Sequence, residues 1–140
     1  MLFRSSEARE LSGDWNIYRA ARWVLAHGPK KVVIKQGEHG ALLASNDLVF
    51  KVPGYPLEEV YDPTGAGDAF AGGFLAHLAR TDDVSEANVK RAMVYGAVMG
   101  SFAVEAFGVQ RFERVTAQDV EARVQAFHSL VWFDVTKASP

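Results

Sequence analysis

The sequence predicts an α/β layered domain, a small buried sheet with helices packed on it. Three observations carry this. The run Val32-Val33-Ile34 reads as a short buried strand. Ala41 to Ala44 and Leu48 to Val52 flank Ser45-Asn46-Asp47, a hairpin signal. Helical apolar patterns precede and follow these strands. The 140 residues, 49% of them hydrophobic, suffice for one domain with a core.

Taken in order, Ser5 or Ser6 can cap a helix through Leu11, which Gly13 would end. Asp14 is the expected cap of a second helix, whose apolar positions Ile17, Ala20, Ala21, Val24 and Leu25 share one face. His27-Gly28-Pro29 stops it. A strand follows over Lys31 to Lys35, then a turn at Gly37-Glu38-His39-Gly40 and the hairpin. Pro53 and Pro56 mark an extended connection. A long helix is expected from about Gly67 to Ala79, with Phe70, Phe74 and Leu78 at i, i+4 spacing and Gly72-Gly73 permitting close approach of a neighbour. Asp82, Asp83 and Ser85 open the next helix, through Ala92, Val94 and Val98. Thr116 caps a last one, with Val120, Val124 and Phe127 inward.

Net charge is −2 and the basic residues are scattered, which argues against a nucleic-acid partner. The absence of cysteine excludes disulfides and thiolate metal sites and fits a reducing, cytoplasmic setting. No apolar signal segment opens the chain. The nearly apolar run Ala92 to Val104 is too short to span a bilayer and contains Gly96, Gly100 and Ser101, so a core helix and no membrane partner are expected. His27, His39, His77 and His128 lack metal-ligand spacing.

The chemistry concentrates in Asp62-Pro63-Thr64-Gly65-Ala66-Gly67-Asp68, which runs directly into an apolar helix. Unpaired N–H groups and the helix dipole make such a start attractive to a phosphate, and small residues let it approach the backbone. An acid beside an anion site calls for a chemical task, and a generic packing turn does not explain it. A P-loop is excluded because no lysine follows these glycines. A dinucleotide fingerprint, and with it an oxidoreductase, is disfavoured because Phe70 stands where the third glycine belongs.

This stretch closely resembles the second signature of the PfkB carbohydrate kinase family, the ribokinase-like kinases, and a weaker resemblance extends over nearly the whole chain. The resemblance implies a three-layer ribokinase-like (Rossmann-like) sheet with flanking helices. It implies the C-terminal, nucleotide-binding portion, residues 1–135, without the N-terminal half and lid, and with 136–140 a loose tail. It implies ATP, Mg2+ and a sugar or nucleoside acceptor as ligands. By the same resemblance Asp68 is the base on the acceptor hydroxyl, and Gly65, Ala66 and Gly67 form the anion hole. Both roles suit phosphoryl transfer, which needs positioning and charge stabilisation more than covalent catalysis.

Further residues follow from the resemblance. Lys35 would supply charge to the nucleotide phosphates, and Gly37 and Gly40 would admit them to the strand-end turn. A solvated lysine beside a plain hairpin turn is the alternative. Ser6-Glu7 resembles the end of the family's Asn-x-x-Glu motif, whose acid helps place magnesium. Here Arg4 replaces the Asn, and an arginine cannot stand in for a neutral amide near a hydrated metal, although it can pair with phosphate. A first-turn carboxylate favourable to the helix dipole is the other reading of Glu7. The segment Ser101 to Gly108 resembles a monovalent-cation loop, with carbonyls of Ala103, Ala106 and Gly108 facing Asp62 and Thr64, so K+ is a candidate. The alternative is a helix C-terminus ended by Gly108. Gly96 and Ala97 lie where the adenine would pass.

A sheet lacking its neighbouring strands should expose edges and apolar surface, so an oligomer is expected. A different class of function therefore stands beside the kinase. In that reading the chain is a catalytically incomplete remnant that oligomerises or binds nucleotide weakly.

Overall fold

The computed structural model describes residues 1–135; the tail expected at 136–140 lies outside the described residues. Strand β1 (Leu2–Arg4) leads into α1 (Ser5–Ser12) and α2 (Ile17–Ala26). Then come β2 (Val32–Lys35), a 3-10 turn (Gly37–His39), β3 (Ala41–Ala44) and β4 (Val49–Val52), followed by α3 (Ala66–Thr81), α4 (Glu86–Ala103) and α5 (Ala117–Val131). The four strands lie in sequence order. β1 runs parallel to β2, and the β2–β3 and β3–β4 pairs are antiparallel.

Side-chain alternation sorts β2 and β3 onto two cores. Val32, Ile34 and Leu42 face Ala8, Ala20, Ala21 and Val24 of α1 and α2. Val33 and Leu43 face Phe70, Val98, Phe102 and Phe127 of α3, α4 and α5. The result is a three-layer α/β sandwich, the layering that the resemblance implies.

Three expectations are corrected. The N-cap of α1 is Arg4, and Ser5 and Ser6 are the first residues inside the helix. The predicted order begins with a helix, whereas the chain opens with β1, held by the register Leu2↔Val33, Phe3↔Ile34 and Arg4↔Lys35. Three residues show no period, so only pairing with β2 defines this strand. The cap of α2 is Asn16, not Asp14: its Oδ1 accepts from the N–H groups of Tyr18 and Arg19, both at 3.0 Å. Asp14 instead accepts from the Asn16 N–H at 2.8 Å and pairs with Arg19.

α3 and α4 approach each other closely. A Cβ on Gly73 would stand 2.7 Å from the Tyr95 carbonyl oxygen, and one on Gly96 would stand 2.9 Å from that of Phe70. Gly72, its neighbour, faces open space. No helix among the described residues is long and apolar enough to cross a membrane. The run from Ala92 is core, with Ala92, Met93, Val98 and Phe102 buried.

Candidate active site

Both parallel strands end on the same side, β1 at Arg4 and β2 at Lys35, and a cleft of about 930 Å³ opens there. Its walls include Arg4, Lys35, the turn from Gly37 to Gly40, Pro53 to Leu57, Ala66 and Gly67 of α3, and Ala97 and Gly100 of α4. Ligands of open α/β sheets gather at strand carboxyl ends for the same geometric reason.

The start of α3 is shaped by the loop before it. Asp62 Oδ1 accepts from the Thr64 N–H at 2.9 Å, folding the loop back on itself. Hydrogen bonds from Thr64, and a further one from the Gly108 N–H, hold the Asp62 carboxyl below its ordinary range. Gly65, at φ 83°, is the N-cap residue and has no side-chain cap. The Ala66 N–H reaches the Pro63 carbonyl at 3.3 Å. Those of Gly65, Gly67 and Asp68 meet no partner among the described residues, which leaves donors open to an anion. Lys35 Nζ donates to the Gly67 carbonyl at 3.0 Å. A Cβ on Gly67 would lie 3.0 Å from that ammonium, so glycine makes room for it.

Asp68 is exposed in the first turn of α3, next to Gly67, and is not itself among the residues that line the cleft. Gly37 and Gly40 adopt positive φ and line the cleft. Gly40 also packs against the Val52 carbonyl, and Gly54 against that of Glu38, so the two turns meet backbone to backbone. The wall from Pro53 to Leu57 was not among the sequence-derived site residues. Its only signal is the pair of prolines.

The segment after α4 lies against the Asp62 loop. The Tyr61 N–H donates to the Val104 carbonyl at 2.9 Å, and the rings of Tyr61 and Phe107 meet edge to face at 6.4 Å. Asp62, Thr64 and Gly108 are thus brought together, with Ala103 buried at the end of α4 and Ala106 in the following turn. α4 ends at Ala103, five residues before Gly108, so Gly108 shapes the next turn rather than ending the helix. Gly96 faces Phe70 within the helix pair, and the α4 residues lining the cleft are Ala97, Gly100 and Ser101, with Val104 just past the helix end.

Glu7 accepts from the Arg4 backbone N–H at 2.7 Å and from Arg4 Nε at 2.9 Å, with Nη2 at 2.8 Å. These bonds hold the Glu7 carboxyl below its ordinary range and the Arg4 guanidinium above its own. Glu7 Oε1 accepts two of these bonds and Oε2 one, which leaves Oε2 a further acceptor position.

Residues 4–115 match the model described as pfkB family carbohydrate kinase. This chain belongs to that family. Within the pfkB family it is 43% identical over 82 residues to a cytidine kinase of Thermococcus kodakarensis, covering 57% of this chain and 29% of that one. The crystal structure of aminoimidazole riboside kinase from Salmonella enterica, complexed with aminoimidazole riboside and an ATP analog, superposes with a TM-score of 0.76 at 29% identity. The match covers 88% of this chain and 41% of that one. A fructokinase double mutant from Vibrio cholerae, in fructose, ADP and potassium ion bound form, gives a TM-score of 0.73 at 27% identity, over 90% and 39%. The pfkB chain described here therefore spans less than half the length of each of these relatives. The fold is ribokinase-like, as its own three layers indicate.

Proposed function

We propose that this chain carries the phosphoryl-transfer portion of an ATP-dependent sugar or nucleoside kinase, with Asp68 as base. The observation that carries it is the uncapped start of α3, whose free N–H groups stand beside Lys35 at a large cleft. The N–H groups of Gly65 and Gly67 would receive the equatorial oxygens of the transferred group. The Ala66 N–H would need to turn from Pro63 to join them. Lys35 would hold the phosphate chain, and Gly37 and Gly40 would admit it. The acceptor oxygen attacks the γ-phosphorus as its proton passes to Asp68, and the bond to the β–γ bridging oxygen breaks to release ADP. Magnesium would enter as the counterion of ATP. Apposition of the Asp62 loop to the turn that holds Ala106 and Gly108 supports a monovalent-cation site there, and the fructokinase relative is described with potassium.

Asp68→Asn, in whatever complete assembly turns over, should lower kcat by about 10²–10⁴-fold while the circular dichroism spectrum is unchanged. Unaltered turnover would remove Asp68 from the role.

Two observations favour a second reading: Asp68 is exposed and does not line the cleft, and the chain matches only part of each relative. In that reading the 140 residues bind nucleotide and self-associate through the β1 edge without turnover. Coupled ATP consumption over a panel of sugars and nucleosides separates the two, since acceptor-dependent turnover by this chain alone belongs only to the first.

A further inference from the structure

We propose that Arg4, braced by Glu7, contacts the phosphates of the nucleotide directly and lets this chain bind ATP without a divalent metal. The proposal rests on the kinase reading and deepens it. Arg4 and Lys35 are Cα partners at the carboxyl ends of the parallel strands β1 and β2. Both line the cleft that the first turn of α3 also faces. Two cations from neighbouring strands thus stand at the cleft with the uncapped N–H groups of one helix; Glu7 offsets part of their charge, and the donors that remain are suited to a polyphosphate.

The bond geometry of Arg4 says how it is used. Glu7 takes its Nε and Nη2 and its backbone N–H, which fixes the plane of the guanidinium. Nη1 has no partner among the described residues, and the side chain is 71% exposed. An exposed Arg–Glu pair contributes little stability of its own; here its bonds orient the guanidinium. A planar, permanently charged fork is the side chain best matched to phosphate oxygens. Arg4 thus adds a permanent charge on the phosphate side of the cleft, one that no bound metal has to supply.

The test is calorimetric titration of the full chain with ATP, once in excess Mg2+ and once in EDTA, and with inorganic tripolyphosphate in EDTA. The chain should bind ATP in EDTA within about 3-fold of its affinity in Mg2+. Arg4→Asn, which keeps a good N-cap for α1, should lose about 10–100-fold in EDTA and recover in Mg2+. Glu7→Gln retains an acceptor for the Arg4 N–H but releases the guanidinium, and should lose less than Arg4→Asn. Loss of binding by the unmodified chain in EDTA, or an Arg4→Asn variant indistinguishable from it, overturns the proposal. Arg4-dependent binding of tripolyphosphate with no binding of ATP supports Arg4 as a phosphate contact and sinks the kinase reading. Absence of binding to either ligand overturns both.

Discussion

The Lys35 ammonium donates to the carbonyl oxygen of Gly67 at 3.0 Å, joining the last residue of β2 to the first turn of α3. This bond sets where the proposed anion site stands relative to the sheet. Lys35→Met keeps the aliphatic stem and removes the charge. It should weaken ATP binding by about 10-fold and destabilise the chain by about 1 kcal/mol, the lower end for a charged hydrogen bond that is only half-buried. Calorimetric titration reads the first and urea unfolding the second; unchanged ATP affinity would separate Lys35 from the nucleotide.

Adjacent glycines of α3 should respond to alanine with opposite signs. Gly73→Ala drives a Cβ against the Tyr95 carbonyl and to 2.6 Å from Met99 Cγ. A backbone carbonyl cannot swing aside, so a cost of about 1–3 kcal/mol is expected. Gly72→Ala meets nothing within 4 Å and should stabilise by about 0.5–1 kcal/mol through helix propensity. Urea denaturation of the pair checks both, and equal shifts would contradict the packing of α3 on α4.

Acid should weaken the fold through its capping carboxylates. Asp119 accepts from the Thr116 N–H at 2.9 Å and from its hydroxyl at 2.8 Å, and these bonds hold its pKa below the ordinary value. A carboxylate lowered in the folded state adds stability above its unfolded pKa, and that stability is lost as pH falls through the folded one. Asp62 acts in the same sense. Stability should therefore decline below about pH 4. Asp119→Asn, which does not titrate, should be less stable than the unmodified chain at neutral pH and converge with it toward about pH 3. Unfolding midpoints across that range decide it; a constant gap between the two would show that Asp119 does not carry the effect.

The turn before α3 is legible because its residues are contiguous. Asp62 to Asp68 place an Asx turn, a left-handed glycine and a helix start within seven residues, and each is a local device. The hairpin and the long helices were legible through their periods. The cap of α2 was misplaced because Asp14 and Asn16 are both competent caps, and the choice depends on where Ile17 meets the core. The network Arg111–Glu105–Arg123, with Arg123 3.7 Å from the centre of the Phe102 ring, had no sequence signal. Its members come from α4's exit turn, the loop beyond and α5. They share no spacing that a helix or strand would impose.

The sequence by itself determined the elements that local hydrogen bonding and side-chain period specify: the helices, the hairpin and the phosphate-type turn with its acid. Tertiary structure alone decided which distant residues share the cleft. Arg4 and Lys35 became neighbours through parallel strand pairing, and Lys35 met Gly67 across 32 residues of chain. The physical reason is that a turn or helix is set by contacts within a few residues. A pairing between remote segments must instead offset the entropy of closing the loop between them, and only burial of the whole sheet does so.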